Sequence, residues 1–136
     1  MAAYTTGADF IERARRKLAP ADFVFSDPPL RTDFDLNPGL LPAAQPYRRA
    51  AVLCPLLWRE GELVVLLTLR PDTMPSHAGQ VAFPGGKVDA LDASGCATAL
   101  REAHEEIGLE PSSVDVLGQL DDLVTGTGFK IGRAHV

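Results

Sequence analysis

The segment from Ser94 to Gly108 constrains this chain more than any other, because it has the pattern of an amphipathic helix that packs through one narrow face. Cys96, Ala99, Leu100, Ala103 and Ile107 recur at the spacing of a buried helical stripe. Asp92 and Ser94 are both suitable N-caps, and Gly108 is a natural stop. At 3.6 residues per turn, Glu102, Glu105 and Glu106 fall within an arc of about 100° opposite the stripe. Glu102 and Glu106 are an i, i+4 like-charge pair, which costs a bare helix about 0.2–0.5 kcal/mol. A divalent cation would reverse the sign of that cost. Carboxylates suit hard, oxygen-seeking Mg²⁺ or Mn²⁺, and magnesium typically binds through few carboxylates plus substrate phosphate oxygens. A solvated acidic face is the competing interpretation of the glutamates alone. Gly85 and Gly86, a short way upstream, favour the metal, because glycine permits positive φ and close approach of other groups.

The rest of the chain supplies one ordinary domain around that helix. It has 136 residues, 46% of them hydrophobic and 23% charged, with a net charge of −5. This acidity argues against non-specific nucleic-acid binding, which needs clustered Lys and Arg. Arg13, Arg15, Arg16 and Lys17 form the one basic cluster, and on a short N-terminal helix they read as a solvated face. No apolar run approaches the ~20 residues that cross a bilayer, and Met1 to Phe10 lacks a signal-peptide core. Cys54 and Cys96 sit in apolar settings and read as core thiols of a reducing compartment, not as a disulfide. The expectation is a cytoplasmic protein without a membrane or nucleic-acid partner.

Along the chain, Ala8 to Leu18 is amphipathic and helical, with Phe10, Ile11, Ala14 and Leu18 on its apolar side. Prolines at 20, 28, 29, 38, 42 and 46 make residues 1–46 a helix followed by an extended leader draped over the domain. Ala50–Trp58 and Glu62–Leu69 read as strands joined through Arg59-Glu60-Gly61. The second is apolar on both faces and is expected to be central, while Pro55 marks an edge or bulge in the first. Gln80–Phe83 is a short strand entering a Pro84-Gly85-Gly86 turn. Val114–Leu120 is a further strand, Asp121–Gly128 a loop, and Phe129 opens another strand. Strands around one central helix give an α+β class.

Gly86, Asp92, Arg101-Glu102-Ala103, Glu105-Glu106 and Gly108-Leu109 resemble the signature of the Nudix hydrolases, G-x5-E-x7-R-E-U-x-E-E-x-G-U with U aliphatic. Two departures stand out: the gap from Gly86 to Arg101 is one residue longer, and Asp92 fills the first acidic position. Both resemble the coenzyme A diphosphatase subgroup. That subgroup also carries an upstream segment similar to Leu66-Leu67-Thr68-Leu69-Arg70 and to Gly79-Gln80-Val81-Ala82-Phe83-Pro84-Gly85-Gly86. Pro71 and Pro75 stand where it usually has serine and arginine. The resemblance implies an α/β/α sandwich with a mixed sheet. It makes Glu102, Glu105 and Glu106 metal ligands for Mg²⁺ or Mn²⁺ and Arg101 with Asp92 a brace. It makes Gly85 and Gly86 a backbone approach to metal and substrate, and associates Arg70, His77, Gly79 and Gln80 with coenzyme A. His104 falls in a variable slot facing solvent. The implied reaction is hydrolysis of coenzyme A or a derivative to 3′,5′-ADP and 4′-phosphopantetheine. ADP-ribose or a dinucleotide is the alternative substrate, and a non-catalytic binding module the alternative function. A small-molecule diphosphate is the expected partner, and a homodimer is compatible with it.

Ile131-Gly132-Arg133-Ala134-His135-Val136 translates a short-read sequencing adapter in one frame. The expectation is therefore a partial Nudix domain over 47–130, incomplete at its C-terminus, with 131–136 a non-native tail. An apolar face left open to water would follow, with a tendency to aggregate.

Overall fold

A computed structural model describes residues 6–20, 31–32, 48–73, 75, 79–120, 123–124 and 129–135. Helix α1 (Gly7–Lys17) is capped by Thr6, whose hydroxyl accepts the Asp9 N–H at 3.1 Å. Asp9 in its first turn and Arg15, Arg16 and Lys17 in its last complement the helix dipole. Its basic cluster is exposed, as expected, with Arg15 ion-paired to Asp115 and Arg16 near Glu12. A Cβ on Gly7 would stand 2.5 Å from the Trp58 ring, so glycine there lets the start of α1 lie against the hairpin that carries Trp58.

Strand β1 (Arg31–Thr32), β2 (Arg48–Leu53), β3 (Leu56–Arg59), β4 (Glu62–Val65), β5 (Thr68–Leu69), β6 (Val81–Ala82) and β7 (Gly85–Lys87) precede helix α2 (Gly95–Ile107). A 3₁₀ turn (Pro111–Ser113), β8 (Leu123–Val124) and β9 (Phe129–His135) follow. One mixed sheet has the order β1-β8-β9-β2-β7. In it β2 runs parallel to β9 and antiparallel to β7, with Ala51 opposite Gly86. The pairs β3–β4 and β5–β6 form separate antiparallel ribbons.

Helix α2 packs on β2 through very small side chains. Ala99 and Ala103 meet Ala51 and Leu53, all at most 1% exposed, with Leu100 and Leu109 at the margin. Alanines on both surfaces bring the helix backbone close to the sheet, and with it the acidic face beside β7. The architecture is the expected α+β with a mixed sheet. Among the described residues one helix, α2, covers that sheet. No helix among them is long and apolar enough to cross a membrane.

Several sequence expectations are corrected. The strand read over Ala50–Trp58 breaks at Cys54–Pro55, since proline has no N–H to give a ladder; its carbonyl instead accepts the Leu66 N–H at 3.0 Å. The strand read over Glu62–Leu69 breaks at Leu66–Leu67 and is not central. Its apolar run is shared between two ribbons, leaving Val65, Leu67 and Leu69 at 49%, 50% and 69% exposure. Gly85-Gly86 is a strand against β2, not a turn. Val114–Leu120 makes no strand; only Gln119 bridges, to Ala19. In α2 the stripe holds at Ala99 and Ala103, but Ile107 is 36% exposed and Thr98 is fully buried.

Cys54 and Cys96 are free thiols, half-buried, and burial pushes both pKa values up. Beyond Pro20, only Arg31–Thr32 of the proline-rich leader lies within the described residues. The backbone of Ile131–His135 belongs to β9. Ladder hydrogen bonds use groups common to every residue, so this pairing is indifferent to the origin of the tail.

Candidate metal and diphosphate site

The site begins with the loop between β7 and α2. Ser94, not Asp92, caps the helix, its hydroxyl accepting the Ala97 N–H at 3.1 Å. Asp92 is thereby released for a different role. Arg101 grips it with two parallel bonds, Nε to Oδ1 and Nη2 to Oδ2, each 2.9 Å. The Thr98 hydroxyl donates to Oδ2 at 2.8 Å and the Asp89 N–H at 2.9 Å. With its side chain only 7% exposed, Asp92 is held well below the usual carboxylate range, chiefly by the Arg101 hydrogen bonds. The same contacts push Arg101 still higher. Arg101 also donates to the Lys87 carbonyl at 3.1 Å, which ties β7, loop and helix together. Thr98 escaped the sequence reading; its signal was a hydroxyl on the side of the helix facing the core.

The other end of Arg101 holds glutamates. Its Nη1 donates to Glu102 at 3.0 Å and to Glu105 at 3.3 Å. Glu102 is mostly buried and lies over Gly86, where a Cβ would stand 2.4–2.7 Å from its carboxylate. A Cβ on Gly85 would stand 2.4 Å from the Ala51 carbonyl. Neither glycine has the positive φ that the sequence suggested; both are needed for space alone. Glu106, one turn beyond Glu102, faces the Gly85 N–H. Partial burial raises its pKa, the Glu102 and Glu105 charges add to the rise, and Gly85 and Arg70 oppose it. Glu105 is more exposed and turned to Arg101. His104 faces solvent as expected, 3.5 Å from Glu110.

Among the described residues no three His, Cys, Asp or Glu side chains are gathered as a ready metal cage. Glu102 and Glu106 instead flank a strand stripped of side chains. All-oxygen donors with open space suit a hard cation that takes few protein carboxylates and fills its shell with phosphate oxygens and water.

The β5–β6 ribbon brings in Arg70. Its N–H donates to the Gln80 carbonyl at 2.9 Å, and the Gly79 N–H, at a residue with φ of 68°, donates to the Arg70 carbonyl at 3.0 Å. Gly79 and Gln80 thus act through backbone to close the ribbon. Among the described residues the buried Arg70 Nε has no hydrogen-bond partner. Arg70 and Glu106 are the two charged walls of a cleft of about 560 Å³, otherwise lined by Leu66 to Pro71 and Ile107. His77 lies outside the described residues.

A carboxylate helix is thus braced to a glycine strand beside an arginine cleft. The profile of the NUDIX domain matches residues 47–136, and the chain belongs to the Nudix family. It is 49% identical over 96 residues to an uncharacterized Nudix hydrolase NudL of Cronobacter sakazakii, covering 71% of this chain and 50% of that protein. It is 43% identical over 114 residues to the protein of that name from Pectobacterium atrosepticum, covering 84% and 58%. With the Escherichia coli K12 protein the identity is 49% over 85 residues, 62% and 44% of the two chains. The chain spans about half the length of these relatives.

Proposed function

We propose that the site hydrolyses a diphosphate joining a nucleoside to another moiety, with coenzyme A or its derivatives as substrate. Water adds across the P–O–P linkage and leaves 3′,5′-ADP and 4′-phosphopantetheine. The observation that carries this reading is the Asp92–Arg101 brace, which sets Glu102 over Gly86 and Glu106 beside Gly85. Glu102 and Glu106, with Glu105 on the same turn, would hold Mg²⁺ or Mn²⁺. When bound, the cation supplies charge neutralisation at the diphosphate oxygens and a more acidic water. Arg101 fixes the Glu102 rotamer, so that carboxylate loses little freedom on binding. Arg70, whose side chain lines the cleft, offers positive charge to an anionic oxygen there.

Assays of coenzyme A, ADP-ribose and a dinucleoside diphosphate in parallel, with each metal, test the reading. Preferred turnover of coenzyme A supports it. Preference for either other diphosphate would move the assignment to that substrate, a direction in which Pro71 and Pro75 already point. Glu106→Gln is expected to lower turnover at least a hundredfold with an unchanged circular-dichroism spectrum. Near-normal rates in that variant would remove Glu106 from the metal set.

A further inference from the structure

Thr98 is fully buried on the inward side of α2. Its hydroxyl has one proton and two acceptors within reach. The Ser94 carbonyl, the usual kind of partner for a threonine inside a helix, lies at 3.2 Å, and the Asp92 Oδ2 at 2.8 Å. That carbonyl already receives the Thr98 backbone N–H at 3.1 Å. The carboxylate is nearer and charged, so the hydroxyl donates to it.

An aspartate needs such donors to keep one plane, because its last torsion is broad and two-fold. The Asp89 N–H comes from the loop, while Thr98 and Arg101 come from α2, three residues apart and on one face. Three of these bonds meet at Oδ2 and one at Oδ1. The guanidinium of Arg101 is planar, so holding its Nε and Nη2 also aims its Nη1. That nitrogen donates to Glu102 and Glu105. Orientation thus passes from a buried hydroxyl, through Asp92 and Arg101, to the carboxylate over Gly86.

We infer that Thr98 is a positioning residue, whose hydroxyl sets the plane of Asp92 and Arg101 and through them the place of Glu102 as a metal ligand. The inference rests on the metal site proposed above and deepens it. Three substitutions separate hydroxyl from packing. Thr98→Ser keeps the hydroxyl and drops the methyl, Thr98→Val keeps the shape and drops the donor, and Thr98→Ala drops both.

The full chain and each variant are titrated with Mn²⁺ alone by calorimetry, with folding checked by thermal melting. Thr98→Ser should bind within about twofold of the parent, while Thr98→Val and Thr98→Ala should each lose about tenfold, the lower end for groups that orient metal ligands. Hydrogen exchange of the Arg101 Nε–H, followed by NMR and assigned by its loss in Arg101→Lys, reads the same chain of contacts without metal. Exchange should be slow in the parent and Thr98→Ser and faster in the other two. Equal affinity in all four proteins, an affinity order that follows the melting temperatures, or exchange blind to the hydroxyl would overturn the inference. The two readings fail separately. Mn²⁺ binding that is equal throughout leaves the metal site and removes the role of Thr98. Exchange that follows the hydroxyl in a parent that binds no Mn²⁺ keeps Thr98 as the group that orients Arg101 and removes the metal site.

Discussion

Asp92 shows how one buried carboxylate can tie a loop to a helix. Asp92→Asn is expected to cost about 1.5–3 kcal/mol, the range for hydrogen bonds to charged groups; the larger cost of a fully buried pair does not apply, since 32% of the Arg101 side chain meets solvent. Its folded pKa is depressed, so its contribution is complete above the ordinary aspartate value of ~3.9 and is lost as pH falls through that value toward the folded one. Urea unfolding from pH 7 to 3 should therefore show an acid loss in the parent that Asp92→Asn largely lacks. Glu106 has the opposite sign: its raised pKa means the ionised form costs stability above its ordinary ~4.3, so Glu106→Gln should melt no lower than the parent at pH 7. The adjacent glycines separate space from function. Gly85→Ala meets the fixed Ala51 carbonyl and should lose about 1–3 kcal/mol by overpacking. Gly86→Ala meets the movable end of Glu102, so metal affinity by calorimetry should fall more than the melting temperature does.

At the scale of elements, α2 was legible because its signals are local. The cap, the stripe of Ala99 and Ala103 and the Gly108 stop with φ of 68° all lie within one short segment. Ser94→Ala should destabilise by about 1 kcal/mol in thermal melts, the cost of a lost N-cap. The strands were less legible. The run Leu63–Leu69 reads as buried on both faces, yet it serves two ribbons, and Leu66–Leu67 carries the break. Gly85-Gly86 has turn composition but strand geometry, because the partner strand β2 and the Glu102 carboxylate occupy the space that any side chain would need. No local rule anticipates a neighbour from a distant segment.

Over the whole molecule the described residues leave apolar surface in water. Leu69 and Val81 face each other across β5–β6 at 69% and 63% exposure, near Leu67 and Phe83 at 50% and 39%. Exposed apolar surface on short ribbons invites self-association. Val81→Lys is expected to lower light scattering at high protein concentration while leaving the melting temperature within a degree or two; unchanged scattering would exonerate this surface.

The sequence by itself determined the carboxylate helix, its Gly108 stop, its buried alanines, the α+β class and the family, because each depends on residues close together in the chain. Only tertiary structure decided that Ser94 rather than Asp92 is the cap, that Thr98 joins Arg101 in holding Asp92, and that Gly85 and Gly86 are a strand cleared for β2 and for Glu102. Tertiary structure alone also joined Arg70 to Glu106 in one cleft. The physical reason is range: capping and helical periodicity act over a turn, whereas steric clearance, ion-pair geometry and enclosed volume depend on which distant segments the packed backbone brings into contact.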